Sequence, residues 1–515
     1  MAEKQLLDII LKQGLLEKTQ RQLNALKTPD NICFKDGDTR LYMNSLYTYK
    51  QRLLCIARLG VEKSLFVISP RKHPGVFPGK AMPRHGLWAQ RVAFTPESCA
   101  ILQELFPFTQ PGPVLSLKTT FGCGDRLGLA TAAHIRALRP FRASPVLAQQ
   151  SMRELSLTHR TYEQVIADAA FMVFQEGYEE GWGADGDHLK NLKDIDGALT
   201  AGVTMITLDL SDSMNASAWQ QDQTALTRSF AGLPASERKR LLSSYAGKPF
   251  TFGKQPVSLT PEETMRCAII YGKAIDFVVA AEKLIRKKRG KYFDLEVSID
   301  ETANPTPHAH HLFIAKELRK RGVRFASLAP RFVGEFQKGI DYIGDLATFE
   351  REFMVHAAMA KALGGYKLSI HSGSDKFAVY PAIGKLTGLS VHVKTAGTNW
   401  LEAVRCIAET HTRLYRKMHQ GALKAFAKAS KLYHVTPDFS RMPDIAAMGN
   451  ADLTQCLDQT DFRQVMHIAY GALLSSRGIG AEFFKTLREN EAHHYGLVEK
   501  HIRKHLKLLG VPSAR

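Results

Sequence analysis

YKLSIHSGSDK (residues 366–376) and LSVHVKTAGT (389–398) share one layout: a short, mostly apolar run followed at once by polar side chains. A run of four to eight such residues bounded by turn residues reads as a buried strand. Working outward, six more runs of this kind precede them. They are VLSLKTTFGCGDRLG (114–128), PVLAQQS (145–151), GWGADGDH (181–188), TMITLDLSD (204–212), FDLEVSIDET (293–302) and RFASLAPRF (324–332). Helical patterns lie between them. The clearest spans Pro261 to about Lys288, with Thr260 and Glu263 as a capping box. Another, Ile314–Gly322, ends on Lys/Arg and a glycine stop. Strands alternating with helices mean a parallel sheet. Eight such units predict a (β/α)8 TIM-like barrel, an α/β fold whose active-site face collects the polar tails of its strands. GWGADGDH is the weakest strand of the eight, and seven good strands also suit a doubly wound sheet.

The chain of 515 residues has room for a large barrel with additions. Residues 1–112 read as an N-terminal α/β extension. It comprises an amphipathic helix at the start, a β-rich segment Ser64–Pro70, a Pro/Gly/basic loop Pro70–Gly86, and a helix from Pro96 capped by Thr95. Residues 113–400 form the barrel. An insertion is expected near 213–259, because the gap between the fourth and fifth runs is too long for a simple crossover. Residues 401–515 read as helices packed on the barrel. The net charge of +19 raises the question of a polyanion or a small acidic substrate. The basic runs Arg286–Lys291 and His501–Lys507 carry no interleaved aromatics, so they read as solvated helix ends and nucleic acid is not expected. The seven cysteines are scattered without a C-x-x-C pair, which excludes a zinc ribbon and suits the cytoplasm. No apolar stretch is long enough for a membrane span.

The strand ends together hold Asp125, Arg126, Gln150, Ser151, Asp185, Asp187, His188, Asp209, Asp212, Glu296, Asp300, Glu301, Arg331, His371, Asp375, Lys376, His392 and Lys394. On a barrel these converge on one bowl. Carboxylates, imidazoles and cations in one place suit metal-assisted acid/base chemistry on an oxygen-rich anion. His188 and His371 are candidate metal ligands, and His392 reads as a ligand or a core histidine. Asp187 is a candidate base. Glu296 falls mid-run in DLEVSID, where alternation turns it inward and burial demands a partner. His308, His310 and His311 follow two prolines and read as helix capping or as support behind a site. Gly181–Gly186 satisfies G-x-G-x-x-G, but Asp185 and Asp187 would repel a pyrophosphate.

FGCGDRLG…HIRA, LAQQSMRE, FQEGYEEGWGADGDH, DLEVSIDET, RFVGEFQKGIDYIGDL, HSGSDKFAVYPA and HVKTAGT…LEAV resemble, in order, motifs of the tagaturonate epimerase family over roughly residues 115–510. The resemblance implies interconversion of D-tagaturonate and D-fructuronate with a divalent metal cation, Mn, Co, Ni or Zn. By motif it makes Asp187 the proton acceptor, Glu296 the proton donor, and His188 and His371 metal ligands. His392 is the choice for the third ligand, with Glu335 second. Gln150 and Ser151 look like substrate contacts, and Arg126, Lys338 and Lys376 are candidates for the substrate carboxylate, Arg126 through a two-pronged fork. The inverted centre is β to the ketone, so its hydrogen is not acidified. Counting carbons from the ketose end, two routes avoid that difficulty: transient oxidation by a tightly held nicotinamide cofactor, against which the poor dinucleotide motif argues, and reversible C3–C4 cleavage, with a base on the C4 hydroxyl and a Lewis acid at the enediolate. Two other readings compete: an aldolase or isomerase of another acidic keto sugar, and a non-enzymatic polyanion binder with steep salt dependence. A homo-oligomer is left open.

Overall fold

The computed structural model describes residues 2–72 and 75–514, the side chain of Thr398 apart. His73 and Pro74 of the basic loop, and Arg515 of the C-terminal region, lie outside the described residues. All eight runs become strands of one closed barrel. They are β1 (Thr119–Gly122), β2 (Ser144–Ser151), β3 (Gly183–Leu189), β4 (Met205–Asp209), β5 (Asp294–Ile299), β6 (Ser327–Pro330), β7 (Lys367–Ile370) and β8 (Val391–Lys394). Neighbours pair in parallel, and β8 closes on β1 through Val391–Thr119 to Lys394–Gly122, which excludes the doubly wound sheet.

The weak third run is a strand for a packing reason. Asp185 bonds across the barrel interior, while Gly186 faces outward. A Cβ at Gly186 would stand 3.1–3.2 Å from Leu189, Ala198 and Ile206, so the glycine lets helix Leu192–Ala201 lie close. A strand with an acidic inner face and a small outer face has no hydrophobic alternation to read.

The barrel interior departs from the branched apolar filling usual for this fold. Thr120, Thr207, Asp185, Glu296, Ser327, Lys367 and His392 are all buried there and bonded to one another. Lys367 donates to Thr120 at 3.1 Å, Thr120 Oγ1 lies 2.9 Å from His392 Nδ1, and Ser327 donates to Glu296 at 2.5 Å. Mutual bonding is what makes such burial tolerable.

Helix Pro261–Arg289 forms with the expected capping box. The next helix is His308–Lys320, so it starts six residues before the expected Ile314. His308, His310 and His311 lie in its first turn. His311 Nε2 is 2.6 Å from the Tyr366 hydroxyl and its Nδ1 is 2.8 Å from His356. His310 bonds Tyr271 and stacks on Trp219. These rings knit helices together outside the barrel. Between β4 and helix Pro261–Arg289 come helices Gln223–Ala231 and Ala235–Tyr245 and a hairpin, Pro249–Phe252 with Gln255–Ser258.

The N-terminal extension holds far more strand than Ser64–Pro70. Seven strands form an antiparallel sheet, with Arg52–Leu59 and Glu62–Ser69 at its centre. Helix Ala2–Lys12 packs Leu6, Ile9 and Ile10 into a cluster with Leu53, Cys55 and Phe66, while Leu54, Ile56, Leu65 and Val67 join the barrel's outer core. Strand Arg52–Leu59 is thus covered on both faces and reads as one apolar run.

Helix Thr398–Thr410 follows β8 and, with helices Thr412–Ala429, Thr460–Ile468, Tyr470–Ser475 and Gly480–Glu489, builds a second core beside the barrel. The last helix, Glu491–Leu508, returns along Thr131–Leu138. No helix among the described residues is long and apolar enough to cross a membrane.

Glu491 joins the two ends of the chain. It pairs with Lys63, accepts from the Tyr42 hydroxyl at 2.5 Å and lies 3.6 Å from Arg58. Burial works to raise its carboxyl, but Lys63, Tyr42 and Arg58 hold it down at about 2, below its ordinary 4.5. Glu491→Ala is expected to lower stability by about 3–5 kcal/mol, because two cations stay buried without a counter-charge. A depressed carboxylate contributes fully above its unfolded value, and the contribution fades as pH falls toward its folded value. The gap in denaturant midpoint between the two proteins should therefore be largest near pH 7 and close on acidification. Equal midpoints at pH 7 would contradict the assignment.

Candidate active site

The C-terminal strand ends open into two adjoining cavities. The inner one reaches Asp187, His188 and Lys394, and an outer one of about 500 Å³ continues past Arg331 and Glu335. His371, Asp300 and Lys338 line both.

Lys394 stands at the floor. Its ammonium lies 2.7 Å from Asp187 Oδ1, 2.9 Å from Asp185 Oδ2 and 3.0 Å from Glu296 Oε1, and donates to Thr207 at 2.5 Å. Burial disfavours the charged amine, but Asp185, Asp187 and Glu296 together hold it well above the ordinary lysine value. Asp185 is pushed up to about 7 by burial, against the pull of Lys394. Asp187 and Glu296 stay ionised despite burial: His188 and Lys394 hold down the first, Lys394 and His371 the second.

Two imidazoles stand above this floor, each backed by a carboxylate. His188 Nδ1 is 2.7 Å from Asp187 Oδ1, and His371 Nε2 is 2.6 Å from Glu296 Oε1. Their rings are 4.8 Å apart. His371 Nδ1 lies 3.2 Å from Asp300, and one ligand atom each from His188, Asp300 and His371 falls within 4.8 Å of the others. The local backbone is bent to achieve this. His188 has φ 56° beside a register shift at the end of β3, and Ser372 has φ 47° just after β7. A ring with one nitrogen on a carboxylate and the other facing a shared point is the arrangement that orients metal-binding histidines. Two nitrogens and one carboxylate oxygen suit a divalent transition metal.

The structure places the other expected residues variously. His392 lies below the floor, on Thr120, away from the His188–His371 pair; burial pushes it down to about 3. Asp300 stands in the third position expected of His392. Glu335 is on the outer rim, paired with His434 at 3.1 Å and Arg331 at 3.7 Å. Ser151 reaches the inner cavity, but Gln149 lines it in place of Gln150. Alternation along β2 puts Gln149 and Ser151 on one face and Gln150 on the other. Arg126 reaches the cavity with its side fork taken and its end fork free. Glu154, held by the capping box Ser151–Glu154, takes its Nε at 2.8 Å and Nη2 at 2.7 Å, which leaves Nη1 and the second Nη2 hydrogen. Lys338 lines both cavities and donates to Ser372 at 2.7 Å. Lys376 is spent on backbone: it donates to the carbonyls of Ile340, Gln337 and Ser374 at 2.6, 2.8 and 3.0 Å. It holds the loop that carries Lys338 and does not face the cavity.

Sequence reasoning gave no role to Asp300 or Lys394, though both were among the strand-end residues, and it missed Gln149, Tyr433 and His467. For Lys394 a signal existed, since alternation in VHVK turns it inward with His392. Tyr433 and His467 come from the C-terminal helices, where no pattern points at a cavity.

The family model for tagaturonate epimerase matches residues 42–509. The chain belongs to the tagaturonate epimerase family. It is an enzyme of the isomerase class, and the motif resemblance is upheld. The chain is 41% identical over 416 residues to the tagaturonate/fructuronate epimerase of Thermotoga maritima, covering 80% of this chain and 85% of that protein. The native crystal structure of fructuronate-tagaturonate epimerase UxaE from Cohnella laeviribosi superposes with a TM-score of 0.87 at 42% identity, over 92% of this chain and 97% of that one. A glycerol complex of the same enzyme gives 0.88 at 42% identity and the same coverage. The TIM-like fold is common to the family.

Proposed function

We propose that this chain interconverts D-tagaturonate and D-fructuronate by opening and re-forming the C3–C4 bond, with a divalent cation held by His188, His371 and Asp300. The observation that carries this is the pair of carboxylate-backed imidazoles facing Asp300 beside a buried Lys394. A divalent cation bound there supplies Lewis-acid stabilisation of negative oxygen. The side chains do the rest. Asp187 lines the cavity, is ionised and takes the proton of the C4 hydroxyl. C3–C4 cleavage then leaves an aldehyde and an enediolate, and turning the aldehyde before the bond re-forms inverts C4. Lys394, whose ammonium lies 2.7 Å from Asp187, returns a proton to the new C4 oxygen and takes back the one that Asp187 removed, so both groups end as they began. Glu296 is absent from the cavity wall and fully buried. It touches Lys394 and His371, so it acts as a positioning residue for both. The acid end of the sugar lies toward Arg126 and Lys338.

The test is conversion of D-tagaturonate by chelated protein, then with Mn²⁺, Co²⁺, Ni²⁺ or Zn²⁺ added and no nicotinamide. Activity should vanish on chelation and return with metal. Folded protein inactive with every metal would refute the proposal, and net cleavage products would point to an aldolase of acidic keto sugars.

A further inference from the structure

We propose that His467, supplied by the C-terminal helices, binds the carboxylate of the sugar acid together with Arg126 and Lys338. The proposal rests on the sugar-acid reading above and adds to it the residue that distinguishes an acid from a neutral sugar.

His467 lies on helix Thr460–Ile468, is 1% exposed and lines the inner cavity with Arg126 and Lys338. Neither of its ring nitrogens has a hydrogen-bond partner among the described residues. Arg126 Nη1 is buried and unpartnered in the same way. Buried polar nitrogens are usually satisfied, and leaving them so is costly. The two side chains converge. The point where a Cβ of residue 397 would stand is 2.5 Å from His467 Nε2 and 3.5 Å from Arg126 Nη2. A Cβ at residue 339, next to Lys338, would stand 3.3 Å from His467 Nδ1. Both positions are glycine, and that lets the imidazole approach closely the loops that follow β6 and β8.

Chemistry narrows the ligand to an anion. Arg126 Nη1, the Lys338 ammonium and an imidazole N–H are all donors, and a carboxylate offers about four lone-pair sites. Burial, Arg126 and Lys338 all keep His467 neutral. A neutral ring adds a directed hydrogen bond without a third positive charge.

The experiment compares D-tagaturonate with D-tagatose, which carries CH2OH in place of the carboxylate. D-tagaturonate is assayed as substrate and D-tagatose by its inhibition constant. His467→Ala should raise KM for D-tagaturonate about 10- to 100-fold, the size of one hydrogen bond to a charged group. The kcat value and the D-tagatose constant should stay nearly unchanged, and His467→Gln should restore much of the loss. Where His467→Ala does not fold, Gly397→Ala, which drives a Cβ into the ring, is read the same way. Equal weakening of both sugars, or an unchanged KM, would overturn the proposal while leaving the epimerase reading intact. A wild-type chain that does not convert D-tagaturonate would overturn both.

Discussion

Lys394→Met is expected to cut kcat/KM for D-tagaturonate by at least about 10³-fold and to cost about 3–5 kcal/mol of stability. Methionine keeps the length of the side chain and removes its charge. Three buried carboxylates, Asp185, Asp187 and Glu296, then face one another where an ammonium had stood 2.7–3.0 Å from each. Uncompensated buried carboxylates take up protons, so their pKa values rise. A group whose folded pKa is raised destabilises the fold above its unfolded value, and the penalty disappears as pH falls below it. The variant should therefore lose most stability at pH 8 and approach wild type near pH 4. Turnover falls for a second reason, because Asp187 becomes a protonated acid and can no longer accept a proton. Denaturant midpoints across that range and steady-state rates test both parts. A variant with wild-type midpoint and rate at pH 8 would remove Lys394 from the centre of the site.

His371→Ala should abolish turnover, a loss of about 10³-fold or more, and strip the protein of divalent metal while the barrel stays folded. The fold should survive because the imidazole sits at the end of β7, in the cavity and outside the packed layers. Metal analysis after dialysis, with circular dichroism as the folding control, makes the test direct. An active variant with bound metal would remove His371 from the ligand set. Glu296→Gln separates the ligand from its support. It should keep metal at saturating concentration yet lose about 10- to 100-fold in turnover, as expected when the partner orienting a ligand is weakened. Near-normal turnover would sink the positioning role.

Much of the fold was legible because strands and helices of a barrel carry local signatures. Runs such as TMITLDLSD and FDLEVSIDET end in polar clusters, and the capping box Thr260–Glu263 marks its helix outright. His188, His371 and Asp187 were legible for the same reason, each being the polar end of such a run. Most of the N-terminal sheet was not, because strand Arg52–Leu59 is covered on both faces, shows no alternation and lacks the polar tail that marks the barrel runs.

Local pattern thus determined the eight-unit barrel and the face that bears the site, and motif resemblance determined the family. Tertiary structure decided which side chains meet. A shift of one residue along β2 exchanges Gln150 for Gln149, because neighbours on a strand face opposite sides. Arg126 gave one of its two forks to Glu154, and Lys376 was drawn to the carbonyls of Gln337 and Ile340; both pairings form only when separate segments fold together. His467 entered the site from more than seventy residues beyond the last barrel strand, by the docking of one helix. Such contacts depend on distances between elements far apart in the chain, and no local periodicity encodes those.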